Sequence, residues 1–234
     1  MRDYITDQEL YEKIVDRYES KKSNEDLFIM SISMQNHGGY TEKYDNFDEK
    51  ARMLGINYPD VNQYLSLIHE SDSALEYLIS YFEKVDDPVE IVFFGDHQPS
   101  LSSSFYPYLN GKGLGGLTLS ELENLYTVPF FIWTNYDSDK ESVELTSLNY
   151  LSTLALERAG IALPAYNQFL ADMMEEIPAV NSRGFYSKSQ GKFLHVEDAA
   201  GEDAKWLKNY EILQYNNMFD KRNKSGLFFP YLKQ

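Results

Sequence analysis

Apolar residues first recur at helical spacing. Leu10, Ile14 and Tyr18, with Tyr11 and Val15 beside them, form one apolar face. Thr6-Asp7-Gln8-Glu9 ahead of them reads as a capping box that opens a helix. Lys21-Lys22-Ser23-Asn24 breaks the pattern, and residues 27–33 follow as a short apolar run that fits a buried strand. Residues 34–60 are rich in Gly, Asn, Asp and Tyr and predict irregular structure. Helical periodicity returns over residues 61–82, with Tyr64, Leu67, Ile68, Leu75, Leu78, Ile79 and Phe82 on the buried stripe. Asp86-Asp87-Pro88 punctuates, and residues 91–94 form a second apolar run of strand character. Residues 128–133 form a third, which Pro129 pushes toward a strand start or a sheet edge because it lacks an N–H.

Between the second and third runs lie a glycine-rich loop and a short helix near residues 119–125. Helices are expected over residues 145–159, ended by Gly160, and over residues 166–176, stopped by Pro178. Phe185-Tyr186 and residues 192–196, joined through Ser189-Gln190-Gly191, predict a hairpin. A last helix spans about residues 202–219, ahead of an aromatic tail. Strands separated by helices in this order predict an α/β layered domain with a mainly parallel sheet. Three core strands are few for such a sheet, so it is expected to be incomplete.

Composition narrows the function classes. A chain of 234 residues that is 43% hydrophobic and rich in aromatics has the makings of a packed core, which argues against disorder. Its formal net charge of −16 disfavours nucleic acid and anionic membrane surfaces as partners. The absence of cysteine excludes disulfides, thiol nucleophiles and thiolate metal sites. No stretch has the length and apolarity of a membrane span.

The chemistry gathers where strands are predicted to end, the place where α/β sheets present functional groups. Asp96 and His97 follow the run at residues 91–94 through Gly95, and Asn36-His37-Gly38-Gly39 follows the run at residues 27–33. A carboxylate and an imidazole side by side offer one oxygen and one nitrogen ligand, suited to zinc or manganese. Taken singly, each stretch has a plainer reading, as a capping Asp beside a hydrogen-bonded His or as an ordinary turn. Two ligands also cannot complete a tetrahedral site. Together, after two core strands, they point to a site. His69 and His195 read as structural, Gly113-x-Gly115-Gly116 does not follow a strand as a phosphate-binding fingerprint would, and no G-x-S-x-G elbow is present.

The ordered set MSISMQNHGGY, YLSLIHESDSALEYLISYFE, VFFGDHQPSL, VPFFIWTNY and LNYLSTLALERAGI resembles the sulfatase branch of the alkaline phosphatase superfamily. Within that branch it is most similar to the lipoteichoic acid synthase-like phosphoglycerol transferases. LPAYNQFLADMMEEIPAVNSRGFY and LQYNNMFDKR resemble the tail of Gram-positive members.

The resemblance implies an alkaline phosphatase/sulfatase-like α/β/α sandwich, with residues 1–180 as the C-terminal part of a catalytic domain and residues 181–234 packed on it. It implies Asp96 and His97 as ligands of a divalent metal, Mn or Zn, and His37 as a contact to the substrate's phosphate or glycerol. Asn36 and Ser100 are further candidate substrate contacts. In that family a metal-coordinated threonine or formylglycine attacks phosphorus or sulfur. That nucleophile and a first acidic ligand lie before the stretch matching residues 27–40, so the resemblance places them outside this chain. The expected parent is a membrane-anchored extracellular enzyme of cell-envelope polymer synthesis. Its substrate would be an anionic phosphate or sulfate ester, such as a phosphoglycerol lipid. This chain alone, lacking the N-terminal half of the catalytic domain, would bind metal weakly and turn nothing over. A phosphoethanolamine-type transferase or phosphodiesterase, and a non-catalytic binding module that keeps the sheet, are the alternatives.

Overall fold

The computed structural model describes residues 2–220, and the aromatic tail expected beyond them lies outside the described residues. The chain forms two compact units, one comprising the residues up to Val89 together with His97–Gly116, the other Glu90–Asp96 together with the residues from Leu117 onward.

In the first unit, helix α1 (Asp7–Glu19) opens on the expected capping box: the Thr6 hydroxyl accepts from the Glu9 N–H while the Glu9 carboxylate accepts from Thr6. It packs against α2 (Pro59–Phe82), whose first turn carries Pro59, where a missing N–H costs nothing. Tyr11 and Val15 are the buried apolar residues of α1; Val61, Leu67, Ala74, Leu78 and Phe82 are those of α2. Ile68, expected on the stripe, is exposed. Tyr18 meets Phe82 edge-on at 5.2 Å, and its hydroxyl donates to Asp87. The irregular stretch before α2 is held by polar side chains of the helix itself. Fully buried Ser66 accepts from the N–H groups of Lys50 and Ala51, Asn62 accepts from Met53, and the Gln63 amide donates to the Glu42 carbonyl. A loop without a ladder satisfies its backbone this way. Helix α3 (Phe105–Asn110) ends at Gly111, whose φ of 72° only glycine adopts readily.

The second unit holds both sheets. Strand β1 (Glu90–Phe94) pairs with β2 (Phe130–Thr134), and Phe93 stacks on its cross-strand partner Phe131 at 5.2 Å. Strands β3 (Gly184–Ser187) and β4 (Lys192–His195) form the expected hairpin. Around them lie α4 (Leu119–Glu123), α5 (Leu151–Arg158), α6 (Ala165–Glu176) and α7 (Gly201–Met218). Tyr150, Leu170, Met173, Ile177 and Phe185 are buried completely or nearly so, with Phe169, Leu194 and Trp206 packed against them. The Tyr150 hydroxyl donates to the Ile177 carbonyl at 2.6 Å, which satisfies a phenol burial would otherwise leave unpaired.

Two expectations fail here. Both ladders are antiparallel and two-stranded, so the fold is an α/β domain with small antiparallel sheets and not the α/β/α sandwich with a mainly parallel sheet that the sequence predicted. Helices between strands suggested crossovers, but the α-helices between β1 and β2 have only six and five residues, short for a parallel crossover. Residues 27–33, expected as a core strand, join no ladder among the described residues. Phe28, Met30 and Ile32 are 91%, 72% and 73% exposed. An apolar run becomes a strand only where a neighbour takes up its backbone groups, and none of the described residues does.

These contrasts are measurable. Phe185→Ala should lower the unfolding free energy by about 3–5 kcal/mol, and Ile32→Ser by less than about 0.5 kcal/mol, both read from urea midpoints. Equal effects would contradict the burial pattern.

The phenols of Tyr11 and Tyr210 are pushed from 10.0 up to about 12, in each case first by burial, with the Asp7 carboxylate adding at Tyr11 and Tyr166 at Tyr210. Folded values above unfolded ones mean that the folded state holds these protons more tightly. Their contribution is complete below pH 10 and is lost as pH rises through about 12. Urea midpoints followed upward from pH 9 (about two units below the ordinary-to-buried midrange of these phenols) should fall through that window; a flat profile would contradict the burial of both phenols.

Candidate functional site

Strand β1 delivers Asp96 through Gly95. The Gly95 N–H donates to the Pro129 carbonyl at 3.0 Å, prolonging the ladder by one bond. A Cβ at Gly95 would stand 3.1 Å from the Val128 Cβ and 3.4 Å from its Cγ1, so the close approach of the two segments favours glycine. The division between the compact units falls directly after Asp96. Both Asp96 and His97 are exposed. The His97 Nδ1 lies 2.9 Å from the Gln98 carbonyl oxygen. A carbonyl can only accept, so Nδ1 is the donor of this contact, as in metal-ligating histidines that give their other ring N–H to a backbone carbonyl.

The segment after His97 is anchored within the first unit. The Ser102 N–H donates to the Asp60 carboxylate at 2.7 Å, in the first turn of α2, and the Tyr58 hydroxyl donates to the Ser104 carbonyl at 3.0 Å. The Tyr106 hydroxyl donates to the Pro99 carbonyl and accepts from the Leu101 N–H. Ser100 sits exposed on this braced loop.

His37 belongs to the first unit and lies in a turn closed by its own N–H donating to the Met34 carbonyl at 3.0 Å. The ring is exposed, with its Nδ1 3.3 Å from the Tyr4 hydroxyl and its plane edge-on to the Tyr4 ring. Beside it, Gln35 and Asn36 turn inward. The Ser71 hydroxyl of α2 accepts from the Asn36 amide at 2.7 Å and the Gln35 amide at 3.0 Å, and donates to the Asp7 carboxylate of α1 at 2.5 Å. One donor and two acceptor sites are thereby all used. Gln35 also accepts from the Asp7 N–H and donates to the Leu67 carbonyl. Asn36, read from the sequence as a substrate contact, thus directs its amide nitrogen to Ser71. The sequence reading gave no role to Tyr4, Asp7 or Ser71, although Asp7 lies in the capping-box stretch and Ser71 in one of the stretches that carry the family resemblance; the inward i, i+4 position of Asp7 beside Tyr11 was the one hint that its carboxylate would need an internal partner.

A family model described as Sulfatase matches residues 2–161, more than half of the chain. The chain belongs to the sulfatase family. A solved structure with the same fold is the Streptococcus pyogenes phosphoglycerol transferase GacH in complex with sn-glycerol-1-phosphate, at a TM-score of 0.62 and 19% identity, covering 92% of this chain and 51% of that one. Among curated relatives in Rhizobium meliloti (strain 1021), one carries the name of a cyclic beta-1,2-glucan modification protein and is 22% identical over 97% of this chain and 36% of its own length. Another, the capsular polysaccharide biosynthesis protein RkpI, is 34% identical over 45% of this chain and 18% of its own length. The chain therefore spans about a third of the first curated relative and about half of the solved transferase.

The sulfatase-family metal can be tested against these side chains. Among the described residues, no group of three or more His, Asp or Glu is arranged to hold an ion. Asp96 and His97 are of the chemical types such an ion takes, one hard oxygen and one imidazole, and a complete site needs more than two ligands.

The shared hydroxyl of Ser71 gives this region a sharp test. Ser71→Ala leaves the Asp7 carboxylate and the Asn36 amide without their partner and should cost about 1–3 kcal/mol. Hydrogen exchange at the His37 amide should quicken in the same variant, because the inward anchor of its turn is gone. Unchanged stability and exchange would show that the network holds nothing.

Proposed function

We propose that this chain forms part of a phosphoglycerol transferase-type enzyme of the sulfatase family, acting on an anionic phosphate ester, with Asp96 and His97 as two ligands of a divalent metal, Mn or Zn. The observation that carries this reading is the tautomer of His97, set by the Gln98 carbonyl, beside a carboxylate at the end of β1. The metal, when bound, would neutralise charge on the transferring group and activate a hydroxyl. This chain's own residues hold and orient: the Gly95 turn presents Asp96, the Gln98 carbonyl fixes the His97 ring, and His37 contacts the phosphate or glycerol of the substrate. Exposed Ser100 is a secondary contact in this reading, whereas Asn36, turned onto Ser71, holds the turn in place.

The remaining ligands and the nucleophile are proposed to lie in further sequence of the same protein. Two facts support this: the chain spans 51% of the solved transferase chain, and the apolar run at residues 27–33 stands exposed, without a strand partner among the described residues. The names of the two rhizobial relatives favour a cell-envelope glycan as the acceptor, and we place the enzyme at the outer face of the membrane on the same ground. No helix of the described residues is long and apolar enough to cross a membrane.

Calorimetry of this chain with manganese and zinc, together with hydrolysis of a phosphodiester and a sulfate ester, tests the division of the site. Weak binding and no turnover are expected, because two ligands do not hold an ion firmly. Tight stoichiometric binding abolished by His97→Ala would mean that the site is complete here. In the enzyme expressed from its whole reading frame, Asp96→Ala or His97→Ala should abolish activity together with metal content. His37→Ala should keep the metal and lower kcat roughly 10²–10³-fold, as for loss of one donor to a developing charge. Retained metal in the Asp96 and His97 variants would overturn their assignment as ligands.

A further inference from the structure

The turn bearing His37 rests in a cradle built by the first residues of the chain. Arg2 is buried, and its guanidinium donates to the carbonyls of Gly38 at 3.3 Å and Gly39 at 3.2 Å, directly after His37. The same guanidinium carbon lies 5.7, 5.5 and 5.3 Å from the ring centres of Tyr4, Tyr40 and Tyr44, within the range of cation–π attraction. Arg2 itself stands at a φ of 53°, unfavourable for a side chain of its size. Asn46 stabilises that conformation from both sides, accepting from the Arg2 N–H and donating to the Arg2 carbonyl, each at 3.0 Å. Such a clamp on strained backbone is the mark of a position held for what it supports. What it supports here is the backbone on the far side of His37 and, two residues along, Tyr4.

We infer that Tyr4 is a positioning residue for His37: its phenol donates to Nδ1 and thereby assigns the proton of the neutral imidazole to Nε2. The phenol is the natural donor of the pair, because its proton is the more acidic and the sp² imidazole nitrogen the stronger base. With Nδ1 occupied as an acceptor, Nε2–H is the ring's remaining polar group, and His37 has no other side-chain partner among the described residues. A neutral histidine of this tautomer offers a hydrogen bond to an oxygen of a tetrahedral anion without needing to be protonated first. The opposite tautomer would turn a lone pair toward that oxygen and repel it. His37 and His97 are thus set in opposite senses by their neighbours, Nε2–H at His37 and Nδ1–H at His97, one suited to donating to an anion and the other to binding a cation.

The role of His37 toward substrate rests on the function proposed above, whereas its tautomer can be read in the unliganded chain. With ¹⁵N-labelled histidine, well above the ordinary histidine pKa of about 6.5, His37 should show a pyrrole-like shift at Nε2 and a pyridine-like shift at Nδ1. Tyr4→Phe keeps the edge-on ring and removes only the hydroxyl, so the His37 shifts should move toward the averaged values of exposed His69 and His195 while other resonances stay in place. A wild-type His37 protonated at Nδ1, or shifts that Tyr4→Phe leaves unmoved, would overturn the inference. If Tyr4→Phe disturbs the fold, the wild-type shifts alone still decide it. Failure of the substrate reading would appear separately, as full activity in His37→Ala.

Discussion

One serine hydroxyl joins the three segments on which the first unit depends. Ser71 receives the Asn36 and Gln35 amides and donates to Asp7, so α1, α2 and the turn bearing His37 share a single part-buried polar junction. Apolar contact brings α1 onto α2 but tolerates small slides of one helix along the other. A junction of this kind does not, because any displacement leaves an amide or a carboxylate desolvated and unpaired, at about 1–3 kcal/mol each. The position of His37 is therefore fixed by the same groups that fix the helix register. The turn that carries His37 and the register of α1 on α2 share the 2.5 Å contact from Ser71 to Asp7.

The parts of the fold that were legible in the sequence are those whose causes are local. Helix α2 was expected from residue 61, two residues after its actual start at Pro59, and the capping box at Thr6 and Glu9 and the β3–β4 hairpin through Gly191 each depend on residues a few positions apart. Strand direction does not. The runs at residues 27–33, 91–94 and 130–133 were expected to share one sheet; the last two do pair, yet nothing in either run states whether its partner runs up or down. The run at residues 27–33 shows the limit most clearly. Its composition says that it should be covered, but composition names no cover, and Phe28 is 91% exposed. Apolar character is a property of a residue, whereas burial is a property of a pair.

The candidate site divides along the same line. Asp96 and His97 were visible because two metal-type ligands stood together after an apolar run, and His37 because a polar turn followed another. Arg2 and Tyr4 were not visible, since an arginine and a tyrosine at the head of a chain carry no pattern. Their meaning comes from contacts spanning more than thirty residues, to Gly38, Gly39 and His37. Sequence displays the groups that do chemistry more readily than the groups that aim them, because the former are chosen by residue type and the latter by position alone.

Charge sets the final constraint. A chain with a formal net charge of −16 repels any anionic ester at long range, so recognition of such a substrate must rest on donors placed at short range, where geometry outweighs the screened overall field. The side chains on hand are suited to that task in complementary ways. In the proposed function, His97, its Nδ1 proton given to a carbonyl, would hold a cation that reverses the local sign, with Asp96 as a second ligand. His37, with its Nδ1 filled by the Tyr4 phenol, offers a neutral donor that carries no charge to be neutralised by the acidic surroundings. Under the proposed function, a tautomer in place of a charge would give selectivity for an anion, and buried Arg2 stands behind the histidine turn with its guanidinium donating to the Gly38 and Gly39 carbonyls.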